Sequence, residues 1–377
     1  MTSNKSIIQV VPALSPPSNG VGDYALRVAE CLKAQYSIDT TFIVAAPLHQ
    51  RESEVGFPVN ILREHSAASI ARALEESALP TDFSAADSQF AMLQLSPYGF
   101  DKNGCPFWLV RGLRDWVCRD ANRRKLITMF HELYAEGAPW TRTFWVSGLQ
   151  RKATRDILTT THYAMTGVQK FAQQLEAWSS GRRATVKCLP VPSNVGEPNA
   201  VPRISQRKRR ICAFGIRAGG NPLSDSVVGV LRTVIGRGAI EEIAVLGDSP
   251  IAQTFEGLGC RVETYKGLAA DELSPILLDT ILGLSWYPPE VLAKSGIFAA
   301  YCAHGVPALV LGSPGRQSPS RDGLEPRMHF LLPSGVTQHY DPDQFQRISD
   351  HARQWYAGHG VAEHARTVAG FVHSENG

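Results

Sequence analysis

The sequence predicts an α/β protein of two domains, each a parallel sheet covered by helices on both faces. Three observations predict it. The chain has 377 residues, more than one hydrophobic core usually serves. Short β-rich runs alternate with helix-length segments along most of it. A stretch holding four prolines, residues 189–202, separates two such series.

In the first series, Ile7 to Val11 reads as a strand that ends at Pro12. A loop rich in Pro, Ser and Gly follows. Val21, Tyr24, Ala25, Val28 and Leu32 then recur at helical spacing. Thr41 to Ala45 is the next strand and Ala67 to Ala78 a helix. Phe90 to Leu95 and Leu126 to Phe130 are two more strands, and Ala184 to Leu189 a weaker one, short and only partly apolar. The second series places strands at Ile211 to Phe214, Ile243 to Leu246, Arg261 to Tyr265, Ile281 to Ser285 and Ala308 to Leu311. Helices are expected at Asp225 to Ile235, Ala270 to Leu278 and Lys294 to His304. Asp343 to Val372 reads as helix with a break at 358–360.

Composition excludes several functions. Apolar residues make up 44% and charged residues 19%, the balance of a globular chain. A formal net charge of +3 is too small to argue for a nucleic-acid partner. Cysteines stand at 31, 105, 118, 188, 212, 260 and 302 without a C-x-x-C pair. That predicts neither a disulfide framework nor a zinc site and fits a reducing cytoplasm. No signal peptide or membrane span is expected.

Ligands of parallel α/β sheets bind outside the carboxyl ends of the strands, so motifs at those ends carry the functional reading. Residues 15–23, with Gly20, Val21 and Gly22, open the first helix. They read either as an approach for an anion or as a tight strand–helix turn. The pattern is not G-x-G-x-x-G, which disfavours a dinucleotide site. His131 and Glu132 follow a central strand. A histidine there donates to a substrate hydroxyl or shares a proton, and a glutamate stabilises positive charge; the alternative is a structural cap. Residues 96–106 form a turn-rich loop with Tyr98, either over the site or packed on the surface. Lys294, Ser295 and Gly296 begin a helix, a composition suited to a diphosphate. Arg217 follows another strand end and is a second cation for the same group, or a surface arginine. The basic run 207–210 reads as a solvated linker; a weaker reading is attraction to an anionic membrane.

Taken together these segments resemble the GT-B glycosyltransferases, in particular the large retaining, family 4-like group. Residues 16–24 resemble its first glycine-rich loop, 191–196 its crossover segment with Asn194, and 214–217 the opening strand and arginine of its donor domain. Residues 245–250, with Gly247, 265–273, with Gly267, and 305–307 are similar to later donor-domain segments.

The resemblance implies two Rossmann-like domains whose parallel sheets face across a cleft. Residues 1–195 form the acceptor side, 196–355 the donor side, and 356–377 a helical tail that packs back on the first domain. It implies that Gly20 and Gly22 approach donor phosphates or acceptor, His131 meets the donor sugar, Arg217 neutralises the diphosphate, and the backbone near Gly267 holds the base. The family's paired glutamates would fall at Leu292 and Ala300, and its lysine at Pro222; all three are replaced here. Glu290 is near but out of step, and Lys294 and Ser295 are the candidates to replace the lost contacts. Tyr98 and Trp140 are acceptor-side candidates.

The expected activity is transfer of a sugar from a nucleoside-diphosphate sugar to a glycan, lipid-linked or small-molecule acceptor in polysaccharide biosynthesis, with retention and without metal or other cofactor. The expected place is the cytoplasm or the inner face of its membrane. A nucleotide-sugar epimerase or a degenerate sugar-nucleotide-binding protein is the alternative.

Overall fold

The computed structural model describes residues 5–14, 20–45, 55–77, 88–137, 139–179, 186–214, 225–236, 240–247, 251–312, 322–335 and 341–374. They divide into two compact units, Met1–Pro190 with Val361–Gly377, and Val191–Gly360.

In the first unit, segments rich in apolar residues build β1 (Lys5–Val11), β2 (Ile38–Val44), β3 (Val59–Ile61), β4 (Gln89–Leu95), β5 (Arg124–Phe130), β6 (Tyr163–Thr166) and β7 (Val186–Cys188), with the edge strand β3 only partly buried. All pair in parallel, in the order β3-β2-β1-β4-β5-β6-β7. The helices are α1 (Gly20–Tyr36), α2 (Ala67–Ser77), the single turn α3 (Pro97–Phe100), α4 (Phe107–Arg119), α5 (Arg142–Thr160) and α6 (Gln169–Trp178). One core lies under α2, α4 and α5, around Trp116, Phe130 and Leu93. A second lies under α1, around Phe42 and Val44.

The second unit holds β8 (Arg210–Phe214), β9 (Glu242–Leu246), β10 (Arg261–Tyr265), β11 (Leu282–Ser285) and β12 (Ala308–Val310). They are again all parallel, in the order β10-β9-β8-β11-β12. Its helices are α7 (Asp225–Gly236), α8 (Ile251–Glu256), α9 (Ala270–Leu278), α10 (Gly296–Ala303) and α11 (Pro342–Tyr356). Residue 360 ends this unit, and α12 (Val361–Ser374) belongs to the first. Its His364, Val368 and Val372 are buried there.

Three expectations are corrected. Between Phe130 and Ala184 the sequence reading assigned no regular element, yet α5, β6 and α6 lie there. The exposed apolar residues Phe144, Trp145 and Leu149 blur the 3.6-residue pattern of α5, and β6 has only four residues. The helix expected from Lys294 begins at Gly296, because Lys294 closes a 3₁₀ turn, Pro289–Lys294, and Ser295 is the cap. The run 207–210 is no solvated linker: Arg207 and Arg210 are buried. Arg207 donates to the carbonyls of Pro202 and Thr280, and Arg210 to Glu242. Only Lys208 and Arg209 are exposed, facing Asp279 and Glu241. The membrane reading loses its carrier with them.

Candidate functional site

Strand order reverses direction between β1 and β4 in one sheet and between β8 and β11 in the other. Chain connections leave such a point in opposite directions, and the gap at the carboxyl ends is where ligands of these sheets sit. His131 and Glu132 directly follow β5, next to β4, and the segment 286–296 follows β11. The sequence spacing could not show that these ends are neighbours of the two reversals.

In the first unit, His131 is half-buried, and its backbone N–H donates to Leu95 O at 3.0 Å, prolonging the β4–β5 ladder. Its Nε2 meets Gln94 Oε1 at 2.9 Å, Gln94 Nε2 donates to Gln9 Oε1 at 2.7 Å, and Gln9 Nε2 donates to Ala25 O at 3.3 Å. Tyr24 lies edge-on to the His131 ring, centroids 5.1 Å apart. Ser96 Oγ donates to Glu132 Oε2 at 3.4 Å. Gly20 opens α1 with open space around its Cβ position, and Val21 beside it is half-buried. Gly22 is buried, and a Cβ there would stand 2.6 Å from Ala13 O. Close backbone packing therefore accounts for this glycine, whatever else approaches it.

Gln9 and Gln94 were not foreseen. The signal was present: each is a lone polar residue inside an apolar strand, IIQVV and AMLQL. A buried amide in such a place is costly unless its hydrogen bonds are met.

The loop 96–106 is tied to α5. Buried Gln150 donates from Nε2 to the Tyr98 hydroxyl at 2.8 Å and to Asn103 O at 2.7 Å, and its Oε1 accepts from Ala135 N at 2.8 Å. Tyr98 stays 44% exposed, and Trp140 is 85% exposed just before α5. Among the described residues, the hydrogen bond to the Tyr98 hydroxyl comes from Gln150 on α5.

In the second unit α10 is fixed by its middle. Tyr301 is fully buried and donates toward Leu284 O at 3.1 Å and Cys212 O at 3.2 Å. Gly283 in β11 makes room: a Cβ there would lie 2.6 Å from the Tyr301 ring. This sets the start of α10 at the β11 end. Ser295 is buried, and its Oγ accepts from Phe298 N at 3.2 Å, so the hydroxyl is engaged as an N-cap. Gly296 faces Asn194, whose Cβ would be 3.4 Å from an added Cβ. Asn194 Oδ1 is buried and accepts no hydrogen bond from the described residues. Its neighbour Val191 donates to Ala293 O at 2.9 Å, holding 191–194 against the turn before α10. Lys294 and Glu290 are half-buried within that turn. Leu292 and Ala300, where the resemblance expects glutamates, are fully buried; a carboxylate at either would need to be buried too.

Gly247 and Gly267 end β9 and follow β10 with φ of +105° and +67°, backbone that favours glycine. Gly247 N donates to Tyr265 O at 2.8 Å. Arg217 lies outside the described residues, as do 15–19, which include the first part of the glycine-rich loop. Among the described residues no three His, Cys, Asp or Glu side chains are placed to hold a metal ion, and no helix is long and apolar enough to cross a membrane.

No protein-family model matches the chain, and no curated protein matches it by sequence. Solved structures match it along its whole length. The pneumococcal O-GlcNAc transferase GtfA, solved with UDP and GlcNAc, is 10% identical, with 99% of each chain covered and a TM-score of 0.66. HepE of Anabaena, solved with UDP and glucose, is 13% identical over 98% of this chain and 99% of its own, at 0.60. A putative UDP-N-acetylglucosamine 2-epimerase of Listeria monocytogenes is 12% identical over 99% and 97%, at 0.61. Identities this low speak to architecture. With two all-parallel sheets whose strand orders each reverse once, this chain has the GT-B fold, the two-Rossmann-domain architecture of nucleotide-sugar glycosyltransferases.

Proposed function

We propose that this protein transfers a sugar from a nucleoside-diphosphate sugar to a glycan, lipid-linked or small-molecule acceptor, with retention of configuration and without a required metal. The observation that carries the reading is the start of α10. A helix N-terminus, the Lys294 cation and a buried, unsatisfied Asn194 Oδ1 stand together at the carboxyl end of β11. A helix start leaves backbone N–H groups without intrahelical partners and attracts anions. Fixed donors and a cation stabilise the charge that grows on a departing nucleoside diphosphate. Asn194 Oδ1 supplies the complementary function, an acceptor for a ligand hydroxyl.

Gly247 and Gly267 in this reading allow close approach of the nucleotide, and Arg217 adds a second cation. Glu290 is a carboxylate in the turn that leads into α10. Within the first unit, His131 and Glu132 are the residues suited to contact a sugar, with Gly20, Val21 and Gly22 at its glycine-rich loop. Tyr98 and Trp140 present faces for an acceptor sugar. The place of action in this reading is the cytoplasm.

A thermal-shift screen against uridine, guanosine, thymidine and adenosine diphosphates and their sugars tests the donor class, since a ligand that binds only the folded state raises the melting temperature. Stabilisation by one nucleotide series is expected; no shift with any of them overturns the reading. Epimerisation is the second reading, favoured by the likeness to the Listeria protein. Acceptor-dependent release of the nucleoside diphosphate supports transfer, and an altered donor sugar without acceptor supports epimerisation. Binding without turnover supports a degenerate, sugar-nucleotide-binding protein.

A further inference from the structure

Six large apolar or aromatic side chains are exposed among the described residues, and four of them, Trp140, Phe144, Trp145 and Leu149, stand together at the start of α5. Trp145 is 75% exposed. A fifth, Tyr98, is tied to the same helix by Gln150. The other side of α5 is the packed one, where Gln150, Ala153, Thr154 and Ile157 are buried. Trp145, Leu149 and Lys152 follow one another at helical spacing down the exposed side. That side is apolar in its first two turns and cationic beyond them. The helix holds four bases, Arg142, Arg151, Lys152 and Arg155, and one acid, Asp156. The whole chain has 38 basic and 35 acidic residues, so α5 alone accounts for its excess of three. The cations have fixed places: Arg151 and Arg155 lie over the rings of Tyr134 and Trp178 at 4.3 and 4.9 Å, and Arg142 donates to Asn103 Oδ1 at 2.7 Å.

We infer that the start of α5 docks on an anionic phospholipid surface, with Trp140, Phe144, Trp145 and Leu149 entering the interface and the cations behind them meeting lipid phosphates. Tryptophan, with an apolar ring and one N–H, suits the headgroup level. Arginine and lysine lay their stems on apolar surface while the charge stays at the phosphates, and an anionic leaflet attracts such a cluster. A strip of four side chains is far short of the roughly 20 to 30 residues that a standard protein interface takes from each partner. Attachment of this kind is peripheral, and among the described residues no helix is long and apolar enough to cross a membrane. The site is separate from the run 207–210, whose arginines are buried, and it stands whether or not the chain transfers a sugar.

The test is co-sedimentation of the full chain with vesicles of phosphatidylglycerol and phosphatidylcholine in equal parts, beside vesicles of phosphatidylcholine alone. Binding to the anionic vesicles is expected, weakened by salt and far weaker on the neutral ones. No binding overturns the inference, and so does equal binding to both. Trp140 also serves the acceptor reading, so the variants are placed at Trp145 and Leu149. The double change Trp145→Ser with Leu149→Ser is expected to lower partitioning at least about tenfold, with an unchanged melting temperature, since both side chains are exposed. Lys152→Gln is expected to lower it about fivefold. Unchanged partitioning in the folded double variant overturns the inference. Vesicles brominated on the acyl chains decide the matter even if that variant fails to fold. They are expected to quench tryptophan fluorescence of the wild type, and to quench Trp145→Phe less although it binds; binding without quenching overturns the insertion. Sedimentation velocity without lipid covers the rival occupant. A dimer that the double variant dissolves, with no vesicle binding, assigns the face to a second copy of the chain and overturns the inference.

Discussion

The Tyr24 hydroxyl donates to Nδ1 of His364 at 3.0 Å, and Nε2 of the same ring donates to Pro190 O at 2.9 Å. α12 thereby joins α1 through a neutral, wholly buried histidine. Desolvation lowers the His364 pKa from 6.5 to about 4, and it raises that of the Tyr24 phenol. Above pH 6.5 His364 is neutral in folded and unfolded chains alike. Between 6.5 and about 4 the unfolded chain takes up a proton that the folded chain refuses, so stability is lost as pH falls. A shift of this size corresponds to about 3 kcal/mol by pH 4. Urea denaturation across this range is expected to show it. His364→Gln, which still accepts from Tyr24 and donates to Pro190, is expected to have a shallower slope by about one proton.

Gly283 and Tyr301 are a matched pair. An added Cβ at Gly283 would enter the Tyr301 ring, so Gly283→Ala is expected to cost about 1–3 kcal/mol, as overpacking does. Tyr301→Leu on the same background is expected to recover part of the loss, read as a coupling energy in a double-mutant cycle.

Lys294 and Ser295 separate ligand binding from folding. Ser295→Ala removes an N-cap and is expected to destabilise by about 0.5–2 kcal/mol. Lys294→Ala is expected to leave the melting temperature of the free protein nearly unchanged while weakening the bound nucleoside diphosphate roughly tenfold, about 1.4 kcal/mol. Isothermal titration and melting curves on the two variants check both statements. Unchanged affinity in Lys294→Ala removes the lysine from the donor site.

Arg210 and Glu242 form a buried pair with Nε 2.5 Å from the carboxylate, and Asp279 stands 3.8 Å away. Hydrogen bonding and charge from Glu242 outweigh the cost of burial and hold the guanidinium pKa up. Arg210→Met leaves Glu242 facing the exposed Arg261 at 3.3 Å and is expected to cost about 3 kcal/mol. The paired change Arg210→Met with Glu242→Leu is expected to be milder than the single one, because it removes the orphaned charge. Chemical denaturation of the three variants provides the comparison.

Much of the architecture was legible in the chain. Largely apolar runs such as LITMF and IAVL read as strands covered on both faces, and the prolines at 190, 192, 198 and 202 lie where the two units divide. His131 and Glu132 stood out in the sequence as polar residues right after an apolar run, and Lys294 as a cation at an expected helix start. α5 was not legible, since Phe144, Trp145 and Leu149 are apolar on its exposed side. Arg207 was misread, since a run of four basic residues gives no sign that two of them turn inward to carbonyls and a carboxylate.

The sequence by itself determined the class of fold, because hydrophobic periodicity and glycine and proline punctuation are local properties of the chain. Only the tertiary structure decided what each polar residue does. Gln9 and Gln94 lie in two different strands and His131 follows a third, and they are linked to one another and to a carbonyl on α1. His364 is held neutral by burial between a hydroxyl far earlier in the chain and the carbonyl of Pro190. Burial and hydrogen-bond partners are properties of neighbours in space, and the spacing of residues along the chain does not contain them.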